Sequence, residues 1–307
     1  VRDHFIRRLG QLASSDKRIV LITGDLGFGV FHDYRRDFPE QFINAGVSEQ
    51  NMTMLATGMA LEGHIAFTYS IGNFPTLRCL EMIRNDAAYH DANVKVVCIG
   101  GGFSYGALGI SHHATEDLAI MRSLPAVTVV SPGGLWEALE ATTAIARTPG
   151  TCYLRLDKDH GDDAPINGEA FILGKARVLR EGADCTLLVT GGILREVQKA
   201  AEGLANRGIS CRILNFHTIK PLDSGAILQA VRETAALVTV EEHTIHGGLG
   251  GAVAEVIADH QAWPKAFLRI GLEAGFSSIV GSQEYLRRSY GLDAASIQAR
   301  VEKLLRS

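Results

Sequence analysis

Apolar runs of strand length alternate with longer segments of helical period along most of this 307-residue chain, which is the pattern of parallel strands joined by crossover helices. In the first half the strand candidates are "RIVLITG", "HIAFTYS", "VKVVCIG", "AVTVV" and "TCYLRL". Helices are expected between them over about 49–62, 75–90, 115–123 and 133–147. Around residues 157–174 the sequence "DKDHGDDAPINGEAFILG" turns rich in charge, Gly and Pro and loses its period, as expected where one packed unit ends. A second series follows, with strands "DCTLLVT", "SCRILN", "ALVTVEE" and "AFLRIG" and helices near 193–207, 222–234 and 248–261, then two more at the C-terminus. The expected fold class is α/β: two doubly wound, mostly parallel-sheet domains, at 1–165 and 174–307.

Composition narrows the function classes. A net charge of −4 and scattered Lys and Arg leave no basic footprint for nucleic acid. The five cysteines are odd in number, far apart and mostly inside apolar runs, so they read as reduced core residues and favour the cytoplasm. No run reaches the roughly 18 apolar residues of a membrane span, and the start "VRDHFIRRLG" has no apolar signal core.

Ligands of open parallel sheets sit beyond the carboxyl ends of the strands. The segments there are "TGDLGFG", "AGVSEQN", "YSIGNFP", "GGGFSYGALGISHHATEDL" and "RLDKD", which supply acids, an aromatic, glycines, paired histidines and an arginine. Each has an ordinary reading. Glu49, at the mouth of an apolar helix, is where an acid suits free N–H groups and the helix dipole. Asp25 can cap or turn the chain, and Tyr69 and Phe74 can fill core. His112 and His113 can be surface polar residues, and Arg155 an edge-of-sheet salt bridge. Gly100–Gly102 lacks the Gly-Lys-Ser/Thr ending of a phosphate loop. Glu241, Glu242, His243 and His246 do not define a coordination shell, and no metal ligand is assigned on this chain.

Taken in order, "GVSEQNM", "A-TGMALEGHIAFTYS", the "HH-ATEDL" loop, "SPGG" and "VTVEEHTIHGGLGGAVAEVIA" resemble the pyrimidine-binding and C-terminal domains of the transketolase family over nearly the whole chain. Deoxyxylulose phosphate synthases and the beta subunits of 2-oxo acid dehydrogenases share the likeness. The family's diphosphate-binding Gly-Asp-Gly is absent from this sequence. The chain therefore resembles the second subunit of a split transketolase, whose partner would carry the diphosphate and Mg2+ site in an α2β2 assembly.

The resemblance implies thiamine diphosphate as cofactor and transfer of a two-carbon ketol unit from a ketose to an aldehyde. Glu49 takes the place of the glutamate that shares a proton with the aminopyrimidine ring, with Met52 and Leu55 as an apolar surround. Phe74 is the first choice for stacking on that ring and Tyr69 the second. Asp25 matches an acid near the cofactor, His112 the histidine facing the substrate, and Arg155 the arginine at the sugar's far end. One departure stands out: four residues before the histidine, where the family usually has an Asp that binds a substrate hydroxyl, this chain has Leu108. The alternatives are a 2-oxo acid dehydrogenase beta subunit, a deoxyxylulose-phosphate-synthase-like enzyme, and a non-catalytic assembly subunit.

Overall fold

A computed structural model describes every residue except Phe28, Asn167, Ala274 and Ser307. The first sheet is built from β1 (Ile19–Thr23), β2 (Phe42–Asn44), β3 (Ile65–Ile71), β4 (Val94–Ile99), β5 (Val127–Val130) and β6 (Thr151–Leu156). The second holds β7 (Arg177–Arg180), β8 (Cys185–Val189), β9 (Cys211–Asn215), β11 (Ala236–Thr244) and β12 (Ala266–Leu272). The remaining strand, β10 (Thr218–Lys220), leaves the second unit and pairs antiparallel with β5 at the edge of the first sheet. Strand orders are β10-β5-β6-β4-β3-β1-β2 and β12-β11-β8-β9-β7. Besides β10, only β7 runs antiparallel to its neighbour.

The helices are α1 (Arg2–Ser15), α2 (His32–Asp37), α3 (Glu49–Leu61), α4 (Leu80–Met82), α5 (Asp117–Ser123) and α6 (Leu135–Arg147). Those of the second unit are α7 (Leu194–Ala205), α8 (Ser224–Glu233), α9 (Leu249–Asp259), α10 (Gln283–Ser289) and α11 (Ala294–Arg306). The helix expected over 75–90 is a composite: a 3-10 turn at Leu77–Cys79, then α4, then a π-helical stretch at Ile83–Ala88. Among the described residues no helix is long and apolar enough to cross a membrane.

Helices on both faces explain why the strands read as continuous apolar runs. One face of the first sheet meets α1, whose Phe5, Leu9 and Ala13 fall four apart and are buried with Phe67, Tyr69, Val97 and Ile99. The opposite face contributes Ala66, Val96 and Cys98 to a cluster that also takes in Leu188, Phe216, Leu237 and Val253 of the second unit. The two units thus share one apolar core. All five cysteines are free and buried.

The segment at 157–174 is not a loose joint. Asp163 accepts from the Trp136 and Glu137 N–H groups at 3.2 and 2.7 Å and so caps α6, Glu169 pairs with Arg177 at 2.7 Å, and Phe171 stacks on His217 at 4.0 Å. These contacts weld the connection to both sheets.

The connections that leave the neighbouring strands β1 and β3 run in opposite directions: from β1 through α2 to β2 on one side, and from β3 to β4 on the other. This is the topological switch point of the first sheet, where a ligand crevice is expected beyond the carboxyl ends.

Candidate active site

Three of the expected residues lie around that switch point. Asp25 follows β1 with a left-handed backbone (φ 56°). Its Oδ1 accepts from Asn44 Nδ2 at 2.8 Å, while Asn44 Oδ1 accepts from the Asp25 N–H at 3.0 Å, so the end of β2 clamps the end of β1. Glu49 opens α3 five residues after Asn44, and its side chain is only 3% exposed. Of the apolar surround expected for it, Met52 is buried but Leu55 faces outward.

Phe74 lies in the turn after β3, half-buried, with the Arg78 guanidinium 4.6 Å above its ring. Arg78 Nη1 in turn donates to Glu49 Oε2 at 2.6 Å. The Phe74 ring meets His112 edge-on at 5.1 Å, so Glu49, Arg78, Phe74 and His112 form one continuous line. Asn73 holds the two loops together by donating from Nδ2 to the His113 carbonyl at 2.7 Å. The resemblance did not single out Arg78 or Asn73; the sequence signal was their place in "GNFPTLR", directly beside Phe74.

His112 is half-buried and its Nδ1 lies 3.0 Å from Ser111 Oγ. Burial, and secondarily the neighbouring His113, pushes its pKa below the ordinary histidine value. His113 points inward, fully buried, with Nε2 3.1 Å from the Gly106 carbonyl and its ring edge-on to Phe103. Leu108 ends the short turn Gly106–Leu108 and is 55% exposed, so the position that departs from the family pattern is open to solvent beside the histidine loop.

Two expected site residues are core residues instead. Tyr69 is 1% exposed on the sheet face toward α1, its ring 6.0 Å from Phe5 and 4.9 Å from Phe31. Strand alternation sends it to the same side as Phe67, into packing.

Arg155 is also 1% exposed, on the interior strand β6 and not at a sheet edge. Its Nε lies 3.5 Å from both Asp117 and Asp157, and Nη2 donates to the Glu242 carbonyl at 2.9 Å. Burial opposes its charge, but the two carboxylates outweigh burial and raise its pKa above the usual arginine value. In the folded chain Arg155 is an internal tie between the two units. A Cβ at Gly101 would lie 1.8 Å from Arg155 Nε, so that loop needs glycine for packing and not for phosphate.

The "EEHTIHGG" segment joins units as well. Glu241 accepts from the Leu249 and Gly250 N–H groups, both at 2.8 Å, and caps α9. Glu242 accepts from the Phe103 N–H and from Arg287 Nε, both at 2.5 Å, and His243 Nε2 meets the Ala119 N–H at 3.3 Å. Among the described residues no three His, Cys, Asp or Glu side chains are arranged to hold a metal ion.

A buried carboxylate and a half-buried aromatic ring, linked through Arg78 at the carboxyl edge of a parallel sheet, mark a place where ligands of such sheets bind. Comparison with known proteins specifies the family. Residues 1–162 match "Transketolase, pyrimidine binding domain" and residues 174–297 match "Transketolase, C-terminal domain". The chain belongs to the transketolase family.

Its relatives include a "Putative transketolase C-terminal section" of Methanocaldococcus jannaschii, 38% identical over 98% of this chain and 95% of the relative. A "6-deoxy-6-sulfo-D-fructose transketolase subunit" of Clostridium sp. (strain MSTE9) is 36% identical over 97% of this chain and 92% of the relative. A solved "Split gene transketolase, inactive beta4 tetramer" superposes with a TM-score of 0.88 at 32% identity, covering 99% of this chain and 97% of that one. The chain is thus a transferase subunit, the C-terminal component of a split transketolase, and family membership brings dependence on thiamine diphosphate.

Proposed function

We propose that this chain supplies the pyrimidine-binding half of a thiamine diphosphate site through residues 1–165, with 174–307 as the C-terminal domain. An N-terminal partner subunit would supply the diphosphate half and Mg2+ in a cytoplasmic α2β2 assembly. The single observation that carries this reading is the meeting of Asp25, Glu49, Phe74 and His112 around the switch point of the first sheet. When bound, thiamine diphosphate supplies the carbon nucleophile that takes the two-carbon ketol unit from a ketose and passes it to an aldehyde.

The chain's own residues have separate tasks. Glu49 shares a proton with the aminopyrimidine ring from a buried position that excludes water. Phe74 offers the flat face, and Asp25 is fixed by Asn44 at the end of β1. His112, with Nδ1 beside Ser111, would present Nε2 to the oxygen on which charge develops, and its burial favours the neutral ring.

Leu108 bears on the substrate. An apolar, exposed side chain where the family usually places a carboxylate cannot accept a hydrogen bond from a hydroxyl next to the reacting carbon. The acceptor is therefore a specialised sugar or sugar-like aldehyde. The Clostridium relative is named for a modified ketose, a sulfonated fructose, which accords with specialised substrates in the family on the donor side.

Mixing the purified chain with the N-terminal subunit, thiamine diphosphate and Mg2+ tests the reading. Ketol transfer should occur in the mixture and with neither subunit alone. Turnover by this chain free of partner would refute it.

A further inference from the structure

Arg78 contacts the acid on which the proposed chemistry turns. Its Nη1 lies 2.6 Å from Glu49 Oε2, an oxygen of the very carboxylate that must share a proton with the cofactor ring. The contact is monodentate, so it engages one lone pair of Oε2, but it sets a guanidinium across the approach to that oxygen. Glu49 is 3% exposed, so little room is left for a second partner until the arginine moves.

Arg78 can move. Its own side chain is 46% exposed, whereas its backbone is fixed: its N–H donates to the Asn73 carbonyl at 3.3 Å, and its carbonyl accepts from Gln50 Nε2 at 3.2 Å. The residue sits in a 3-10 turn that passes through one short α-helical stretch into π-helix, an irregular geometry that often accompanies functional positions. Once released from Glu49, the guanidinium still has the Phe74 ring 4.6 Å beneath it as a platform, and that ring abuts His112. Arg78 would then stand between the cofactor acid and the substrate histidine, a free cation facing the substrate path. Arg155, the arginine expected to hold the sugar's far end, is buried and already paired. The substrate anion therefore lacks its expected partner.

We propose that Arg78 exchanges partners: it covers Glu49 while the site is empty, and after the cofactor displaces it, it binds the anionic group, phosphate or sulfonate, of the sugar substrate. The inference rests on the functional reading above and assigns that site an anion-recognising residue with a built-in order, cofactor before substrate.

The test uses Arg78→Gln and Arg78→Lys in the complex reconstituted with the N-terminal subunit. The first readout is thiamine diphosphate affinity measured by calorimetry without substrate. If Arg78 covers Glu49 in about two-thirds of empty molecules, its removal tightens the apparent Kd about threefold. The second is KM for a phosphorylated sugar and for the same sugar without phosphate. Arg78→Gln should raise the first about tenfold, the value of one charge-assisted contact, and leave the second within about twofold. Arg78→Lys should recover part of the loss and serves alone if Arg78→Gln fails to fold. Unchanged or weaker cofactor binding in the variants overturns the exchange, as does an equal rise in both KM values. A wild-type complex that binds no thiamine diphosphate would refute the functional reading itself, before any variant is compared.

Discussion

Replacing Arg155 by Met separates its structural role from the substrate-binding role that the family resemblance implies. The guanidinium is 1% exposed, with two carboxylates at 3.5 Å and a carbonyl of β11 at 2.9 Å. The longer contacts act as ion pairs, and the shorter is a true hydrogen bond. Methionine fills most of the volume but leaves Asp117 with only the Tyr153 hydroxyl at 2.6 Å and Asp157 with only the Gly192 N–H at 2.6 Å. Removing one member of a buried ionic cluster costs about 3–5 kcal/mol because the stranded charges remain buried. That exceeds the hydrogen bond lost to Glu242, worth about 1.5–3 kcal/mol for a charged donor, so the carboxylates should dominate. Urea denaturation at pH 7 should show a lower midpoint with an unchanged slope. Arg155→Lys, which keeps the charge, should lose less than half as much. If Arg155→Met is within about 1 kcal/mol of wild type while the complex loses affinity only for phosphorylated substrates, the residue reads substrate and the assignment here is wrong.

Other expectations follow from the same contacts. His217, 1% exposed and stacked on Phe171, has its pKa lowered by burial to about 3. The unfolded chain therefore binds one more proton between about pH 6.5 and 3, and stability should fall by about 2 kcal/mol from this group between pH 6.5 and 5. His217→Gln should remove that share, and parallel pH profiles for the two proteins would contradict it. Lys95, fully buried, donates to the Thr148 and Gly150 carbonyls beyond the end of α6 at 2.7 and 2.5 Å. Lys95→Met should cost about 1–3 kcal/mol by orphaning those carbonyls, and a rise in thermal midpoint would show that the buried charge cost more than its bonds return. Leu108→Asp should shift kcat/KM toward common α-hydroxy aldehydes by roughly tenfold or more. A wild-type complex that already prefers glyceraldehyde phosphate or ribose phosphate as strongly as a one-chain transketolase, together with a variant of unchanged preference, would mean another residue reads that hydroxyl.

The long strands were legible because both faces are covered, which makes runs such as "IVLI" apolar throughout. The edge strands β2, β7 and β10 were not, since three or four residues carry no measurable period and their pairing depends on distant sequence. Helix α1 was passed over although Phe5, Leu9 and Ala13 mark its buried stripe. That omission hid the fate of Tyr69, because a helix covering the Phe67 and Tyr69 side of β3 makes both rings core. Glu49 and Phe74 were readable from order along the chain, and Arg78 links them in the fold. The burial of Arg155 was not legible because its partners Asp117, Asp157 and Glu242 come from separate elements that only the folded chain brings together. The Glu49–Arg78 pair, 29 residues apart, escaped notice for the same reason.

The most direct measurement of the central claim is proton exchange at the reactive carbon of thiamine diphosphate, followed by deuterium loss in the reconstituted complex with wild-type chain and with Glu49→Gln. If Glu49 is the acid that activates the cofactor, the variant should bind thiamine diphosphate nearly as well but exchange roughly 10²–10⁴-fold more slowly, the range of a positioned acid–base group. Exchange at the wild-type rate in a variant complex with cofactor bound would contradict the account.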